Sequence, residues 1–275
     1  MKKYLFILLV IFVSIPIFSA SAQMPIKILL VPGHDDEVWG SQYGNTKEAD
    51  MNLSLAKELF NILKKDKRFE VHITREKGGY TKEFADYFAS NMESISLFRD
   101  EAMAKRQAEI SSGVFVPKTS VPHVKAKESV ALKLYGLNKW ANENKVDAMI
   151  HIHFNDYPRP SKWTIGKYKG FAVYIPEDQM VNSTESKLLG ENIFLQLKKK
   201  YTVSTFEQEK AGLIQDQKLI ALGSNGTLLP DVRSVLIEYG YIYRFKNKSA
   251  RLQAYKNMSK LTAEGIKNYF LEVKN

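Results

Sequence analysis

The sequence predicts an α/β fold: one open, mostly parallel twisted sheet with helices on both faces, in a single domain with an insertion. Three observations carry this. Strand and helix patterns alternate along the chain, as in layered α/β domains. Several strand candidates are short, almost unbroken apolar runs, as expected where both sheet faces are covered. Polar residues stand where those runs end, at the edge where open α/β sheets bind ligands.

The elements follow in order. Ile26 to Val31 is apolar except for Lys27 and reads as a buried parallel strand. Asp50 to Lys65 is an amphipathic helix with Leu53, Ala56, Leu59, Phe60 and Leu63 on one face. Phe69 to Thr74 is a second strand. Ser129 to Asn144 is a helix carrying Leu132, Tyr135, Leu137 and Trp140, with Ser129 as its N-cap. Ala148 to Ile152 and Gly170 to Ile175 are strands, and Thr184 to Lys200 is a helix. Ser234 to Glu238 is a strand, and Ser249 to Phe270 a final long helix. Residues 76–128 break the pattern, with one or two polar-rich helices over about Lys82 to Ser112 and then Val114-Phe115-Val116-Pro117 and Val121-Pro122-His123. We read this segment as an insertion that covers the cleft, binds a partner or decorates the surface, and we hypothesise a lid because it leaves the core just after a strand end.

The first residues form a targeting segment. Lys2-Lys3 give a basic start, Tyr4 to Phe18 an apolar run interrupted by Pro16, and Ala20-Ser21-Ala22 a small-residue cleavage site. The run is short for a membrane span. The expected mature chain is 23–275, exported to the periplasm, the cell wall or the medium. The chain has no cysteine, so it folds without disulfides, and any metal must rest on histidine and carboxylate. Its formal charge of +10 favours anionic partners such as wall polymers or membrane surfaces, or reflects ordinary solvation by lysine. No DNA- or RNA-binding motif is present.

The candidate site residues sit at the strand ends. Pro32-Gly33-His34 follows Ile28-Leu29-Leu30-Val31, His153 follows Met149-Ile150-His151-Ile152, and Glu238 follows Val235-Leu236-Ile237. Glu48 stands at the start of the first helix. By itself it is ordinary N-terminal helix acidity, and it becomes a ligand candidate because His34 shortly precedes it. His151 and His153 are two apart on a strand and so face the same way. Two histidines and a carboxylate can hold one zinc and leave a position for water, and a further glutamate can serve as general base. His34, Glu48 and His153 are the proposed metal ligands and Glu238 the catalytic residue, with His151 orienting His153 from behind. The alternative for Glu238 is an ion pair with Arg233 or Arg75, because a buried carboxylate needs a metal, a cation or a proton. His72 and His123 are read as structural or surface residues.

In this order the blocks resemble the zinc-dependent N-acetylmuramoyl-L-alanine amidase family. They are Pro32-Gly33-His34, Glu48-x-Asp50-x-Asn52-Leu53, Thr74-Arg75, Ala141-Asn142, Asp147, Ile152-His153-x-Asn155 and Val235-Leu236-Ile237-Glu238-x-Gly240. The resemblance covers nearly the whole mature chain except 76–128. It implies a Zn2+ cofactor, His34, Glu48 and His153 as ligands, Glu238 as catalytic glutamate, and cleavage of the amide between N-acetylmuramic acid and L-alanine in peptidoglycan. A regulatory protein acting on the 76–128 insertion is a further partner considered. The chain departs from the family's usual pattern at Asp35-Asp36-Glu37, which follow Pro-Gly-His in place of a glycine. It departs again at His151, in place of a small residue, and at Leu137, in place of an arginine.

Two other readings compete. His34-Asp35-Asp36-Glu37 is similar to the His-Pro-Asp-Asp-Glu segment of LmbE-like zinc N-acetylglucosamine deacetylases, without its proline. The other is a non-catalytic amidase homologue that binds wall polymer or activates a partner.

Overall fold

The computed structural model describes residues 24–118 and 127–272. The predicted leader and His123 lie outside them. The chain runs β1 (Ile26–Pro32), β2 (Gln42–Tyr43), β3 (Thr46–Lys47), α1 (Glu48–Leu63), β4 (Phe69–Ile73), β5 (Arg75–Glu76), β6 (Gly79–Tyr80) and α2 (Lys82–Ser111). It continues α3 (Glu128–Glu143), β7 (Ala148–Asn155), β8 (Ala172–Pro176), α4 (Ser183–Lys198), β9 (Leu213–Asp216), β10 (Arg233–Tyr241) and α5 (Lys248–Lys267). Six strands form the main sheet in the order β4-β1-β7-β10-β8-β9. All neighbours are parallel except β10 and β8.

The apolar strand runs are explained by two covered faces. On β1, Ile28 and Leu30 join a core with Leu55 and Leu59 of α1, Leu189 and Ile193 of α4 and Ile266 of α5. Their neighbours Leu29 and Val31 join a second core on the opposite face, with Phe84, Phe88 and Ile95 of α2 and Leu137 and Trp140 of α3. Successive strand side chains alternate sides. On β7, Ile150, Ile152 and Phe154 therefore enter the first core, and His151 and His153 share the other face.

Register then sets the site. Val31 pairs with His151 and Pro32 with Ile152, while Glu238 of β10 pairs with His153. The chain goes from β1 outward to β4 and returns to place β7 on the other side of β1. Strand order thus reverses between β1 and β7, and such a switch point opens a crevice at the carboxyl ends. His34 and His153 follow or end these two strands.

Several predicted boundaries shift. The first helix begins at Glu48 rather than Asp50, so the candidate ligand is its first residue. Ser129 does not cap α3. Lys127 holds the N-cap position with no side-chain hydrogen bond, and Ser129 lies inside the helix. Asn247 does cap α5, accepting from Ala250 N–H at 2.9 Å. The sheet gains the edge strand β9, whose Leu-Ile-Gln-Asp run is too short and too polar to read as a strand. Within 76–128 the chain makes the β5–β6 hairpin and one 30-residue helix, α2. Its buried Phe84, Phe88, Ile95 and Ala102 form a narrow stripe at heptad-like spacing. That stripe packs on α3 as part of the second core.

Candidate metal centre

The site is built from the loop after β1, the start of α1 and the ends of β7 and β10. His34 follows β1 with φ +63°, a left-handed backbone that a non-glycine residue enters only when its surroundings enforce it. Arg75, almost fully buried, does the enforcing: its guanidinium donates to the carbonyls of His34 and, at 3.4 Å, Gly33. Gly33 itself has no room for a side chain, since a Cβ there would stand 2.1 Å from the His153 ring. Gly40, at φ +71°, backs the other side, where a Cβ would stand 2.5 Å from Glu48 Oε2 and from the His34 ring.

Glu48 is 3% exposed and fully engaged. Ser41 N–H donates to Oε2 at 2.9 Å, Phe154 N–H to Oε1 at 3.3 Å, and Asn52 Nδ2 to Oε1 at 3.4 Å. Asn52 also ties the helix to the first loop by donating to Gly33 O at 2.9 Å. Both imidazoles converge on the same carboxylate oxygen: His34 Nε2 lies 3.1 Å and His153 Nδ1 3.2 Å from Glu48 Oε1. One ligand atom from each of the three residues falls within 4.8 Å of the others.

These separations fit a metal. Zinc–nitrogen and zinc–oxygen bonds of about 2.0–2.2 Å at tetrahedral angles put ligand atoms about 3.3 Å apart. Two imidazoles and one carboxylate are a donor set that zinc accepts, with a fourth position left for water or substrate. Among the described residues this is the His/Asp/Glu group able to hold an ion.

Charge is tuned across the cluster. Burial would raise the Glu48 carboxyl, but hydrogen bonds and charge from His153 and His34 hold it well below the usual carboxylate range. Burial pulls the His34 imidazole down, yet Glu48 outweighs it and the net shift is upward. Burial dominates at His153 and lowers it, favouring the neutral ring that a metal requires. Burial, with the Glu48 and Glu209 charges behind it, pushes the Glu238 carboxyl well above its ordinary value.

The four predicted residues therefore meet at one crevice. His34, Glu48, His153 and Glu238 all line a single cavity of about 340 Å³ closed by α3. Arg75 and Arg233, the alternative partners for Glu238, are engaged elsewhere. Arg75 holds the first loop, and Arg233 donates to Tyr269 Oη at 2.8 Å and lies 3.9 Å from Glu185. His151 lines the same cavity but is buried, hydrogen-bonded to the Ala221 backbone, and depressed by burial to about 3. His72 stays outside, between Glu70 and Glu83.

Asp35 turns away from the cluster. Its Oδ1 accepts from Val38 N–H at 2.7 Å and Glu37 N–H at 3.0 Å, and its Oδ2 meets Lys133 Nζ of α3 at 3.0 Å. Glu37 is exposed, 3.5 Å from the same ammonium. Asp35 thus shapes this loop and ties it to α3.

Sequence reasoning missed Glu209, in the loop before β9. It is 2% exposed and takes four donors: Asn155 Nδ2 at 2.6 Å, Tyr174 Oη at 2.7 Å, Ser204 Oγ at 2.6 Å and Tyr241 Oη at 3.0 Å. Nothing in Glu207-Gln208-Glu209-Lys210 distinguishes a buried acid from its solvated neighbours.

Fold and site together define an α/β protein with two imidazoles and a carboxylate gathered for a cation at a sheet switch point, and a high-pKa glutamate beside them. The chain belongs to the N-acetylmuramoyl-L-alanine amidase family, whose description matches residues 28–268. Solved structures share its fold. The CwlD amidase of Clostridioides difficile, determined in complex with the GerS lipoprotein, is 19% identical with a TM-score of 0.59, covering 90% of this chain and 100% of that one. An N-acetylmuramoyl-L-alanine amidase from Clostridium difficile 630 is 16% identical with a TM-score of 0.56, covering 91% and 99%. The catalytic domain of CwlV from Bacillus (Paenibacillus) polymyxa is 16% identical with a TM-score of 0.54, covering 90% and 99%. No curated protein matches the chain.

Proposed function

We propose that this protein is a zinc-dependent peptidoglycan hydrolase that cleaves the amide between N-acetylmuramic acid and L-alanine. The observation that carries it is the shared carboxylate oxygen of Glu48, with His34 and His153 on either side of it and Glu238 in the same cavity. Family membership supplies the bond.

His34, Glu48 and His153 are the residues that would hold zinc, which when bound supplies Lewis acidity toward the scissile carbonyl and lowers the pKa of water. The rest of the chemistry belongs to the chain. Glu238, as carboxylate, accepts a proton from the attacking water and returns it to the departing alanine nitrogen. Its buried, doubly acidic surroundings strengthen it as a base. Glu48 gives the cluster its negative charge, and Asn52, Ser41 and Phe154 fix its orientation. Tyr80 walls the cavity and α2 packs behind α3, which walls it too, so we read the described part of the insertion, residues 76–118, as restricting access and supporting α3.

With peptidoglycan as the proposed substrate, we infer a location outside the cytoplasmic membrane, which the basic-apolar start of the sequence supports. Among the described residues no helix is long and apolar enough to cross a membrane. The test is to incubate the protein with purified peptidoglycan and follow products by mass spectrometry, with a zinc chelator and Glu238→Ala as controls. Free stem peptides beginning with L-alanine, lost in both controls, are expected. Acetate release with intact stems would move the assignment to a deacetylase.

A further inference from the structure

The loop after β7 carries a feature that neither the cluster nor its chemistry uses. Residues 156–167 begin at Asp156, which lines the metal cavity, and present Trp163, 60% exposed. A single exposed apolar side chain is ordinary on a protein surface, and it points to binding only where the backbone beneath it is built to hold it.

It is so built. Arg159 pins the loop from inside, its side chain only 5% exposed. The guanidinium bonds both carboxylate oxygens of Asp156 at 2.8 and 2.7 Å, and the carbonyls of Ser161 at 3.2 Å, Thr164 at 3.0 Å and Gln42 at 2.9 Å. It lies 5.6 Å from the Tyr43 ring and 5.3 Å from the Tyr243 ring. Gly44 N–H then donates to Lys162 O at 2.9 Å, joining the loop to the β2–β3 hairpin. Gly44 is the seat of the indole. Its φ is +56°, and a Cβ there would stand 2.4 Å from the Trp163 ring. One part of the ring rests on bare backbone, the Tyr43 ring meets it edge-on with centroids 6.4 Å apart, and the rest faces solvent.

The seat is continuous with the metal centre. The hairpin runs from Ser41, which donates to Glu48, directly into Glu48 itself. The second exposed tryptophan in this region, Trp39, is covered by the Lys47 ammonium at 4.3 Å, whereas Lys162 lies 5.8 Å from the Trp163 ring centroid on an exposed side chain. Trp163 is the more open ring.

We propose that Trp163 is a stacking platform for a pyranose ring of a glycan strand, holding the polymer beside the His34–Glu48–His153 centre. A pyranose presents an apolar face of C–H bonds framed by hydroxyl and acetamido groups. A rigid indole with one cation beside it matches both parts, the ring taking the apolar face and Lys162 the polar frame. Because the loop is already ordered by Arg159, little side-chain entropy is lost on binding. This rests on the amidase reading only in expecting that the cleaved bond hangs from a glycan.

The test separates the two. The Glu238→Gln protein, full chain, is titrated with N-acetylglucosamine hexamer, a glycan lacking the muramoyl amide, by calorimetry and tryptophan fluorescence. Saturable binding is expected. Adding Trp163→Ala should weaken it by on the order of tenfold through lost stacked area, while Trp163→Tyr should keep most of it. Melting curves should stay close to the parent's because the ring is largely exposed. Equal affinity with and without Trp163, or no binding by the parent, would overturn the proposal. Hexamer binding by a protein that cuts no amide would leave the platform standing and remove the amidase reading; amide cleavage without hexamer binding would do the reverse.

Discussion

Replacing Gly33 by alanine tests the site at its tightest point. A methyl group there would stand 2.1 Å from both Cε1 and Nε2 of His153 and 2.7 Å from Nδ1. Ordinary carbon contacts lie at about 3.5–4.0 Å, so the ring has to retreat by more than an ångström. It cannot do so and stay 3.2 Å from Glu48 Oε1. Overpacking of this kind typically costs about 1–3 kcal/mol of stability, a melting shift of roughly 2–10 °C in a domain of this size. The functional loss should be far larger, since an ångström of misplacement lowers rates by about a hundredfold. We therefore expect Gly33→Ala to fold, to lose most of its bound zinc by elemental analysis, and to release stem peptides at least about a hundredfold more slowly. A variant that keeps full zinc and the parental rate would refute the claim that His153 is fixed by this contact.

Three further outcomes follow from the same geometry. Glu238→Gln should keep zinc and lower turnover by roughly 10²–10⁴-fold, the usual worth of a general base. Its carboxylate form is the active one and its pKa is raised, so the parent's activity should fall on the acid side at a pH well above the ordinary glutamate value, a limb visible in a kcat/KM profile against pH. His151 is depressed to about 3 from 6.5. Its contribution to stability is complete above pH 6.5 and is lost as pH falls toward 3, because the unfolded chain binds the proton first; the loss is on the order of 5 kcal/mol. Urea titrations of the chelated protein should show that acid slope, and His151→Leu should flatten it; an unchanged slope would show that other groups set it. Glu209→Gln replaces a carboxylate serving four donors with an amide that can accept only at its oxygen. It should destabilise by about 2–4 kcal/mol in denaturant titrations, and a shift of only a few tenths would remove Glu209 as an organiser of Asn155.

The site was more legible than its support. His34, His153 and Glu238 are conspicuous because each interrupts or ends an apolar run, and burial makes a polar residue there costly unless it has a task. Glu48 was visible only through its distance from His34, since a helix start attracts acids for reasons of its own. The buried strands β1, β7 and β10 announce themselves by composition. Strand β9 does not, because its alternation spans only four residues. Helix α2 reads as polar since its buried residues make a single narrow seam along thirty positions. Glu209 and Arg159 are beyond sequence reasoning: each looks solvated, and only the fold brings donors to the first and carbonyls to the second.

The left-handed turn at His34 has a consequence for how the metal and the fold depend on one another. That conformation is not favoured by the residue itself and persists because Arg75, from beyond β4, grips the two carbonyls around it. The other ligand atoms come from the start of α1 and from β7, more than a hundred residues along the chain. No short stretch of this sequence can therefore assemble the ligand set. For the proposed zinc site, affinity becomes a gauge of whether the β4–β5 corner is seated, and damage there should release metal while the central strands are still intact.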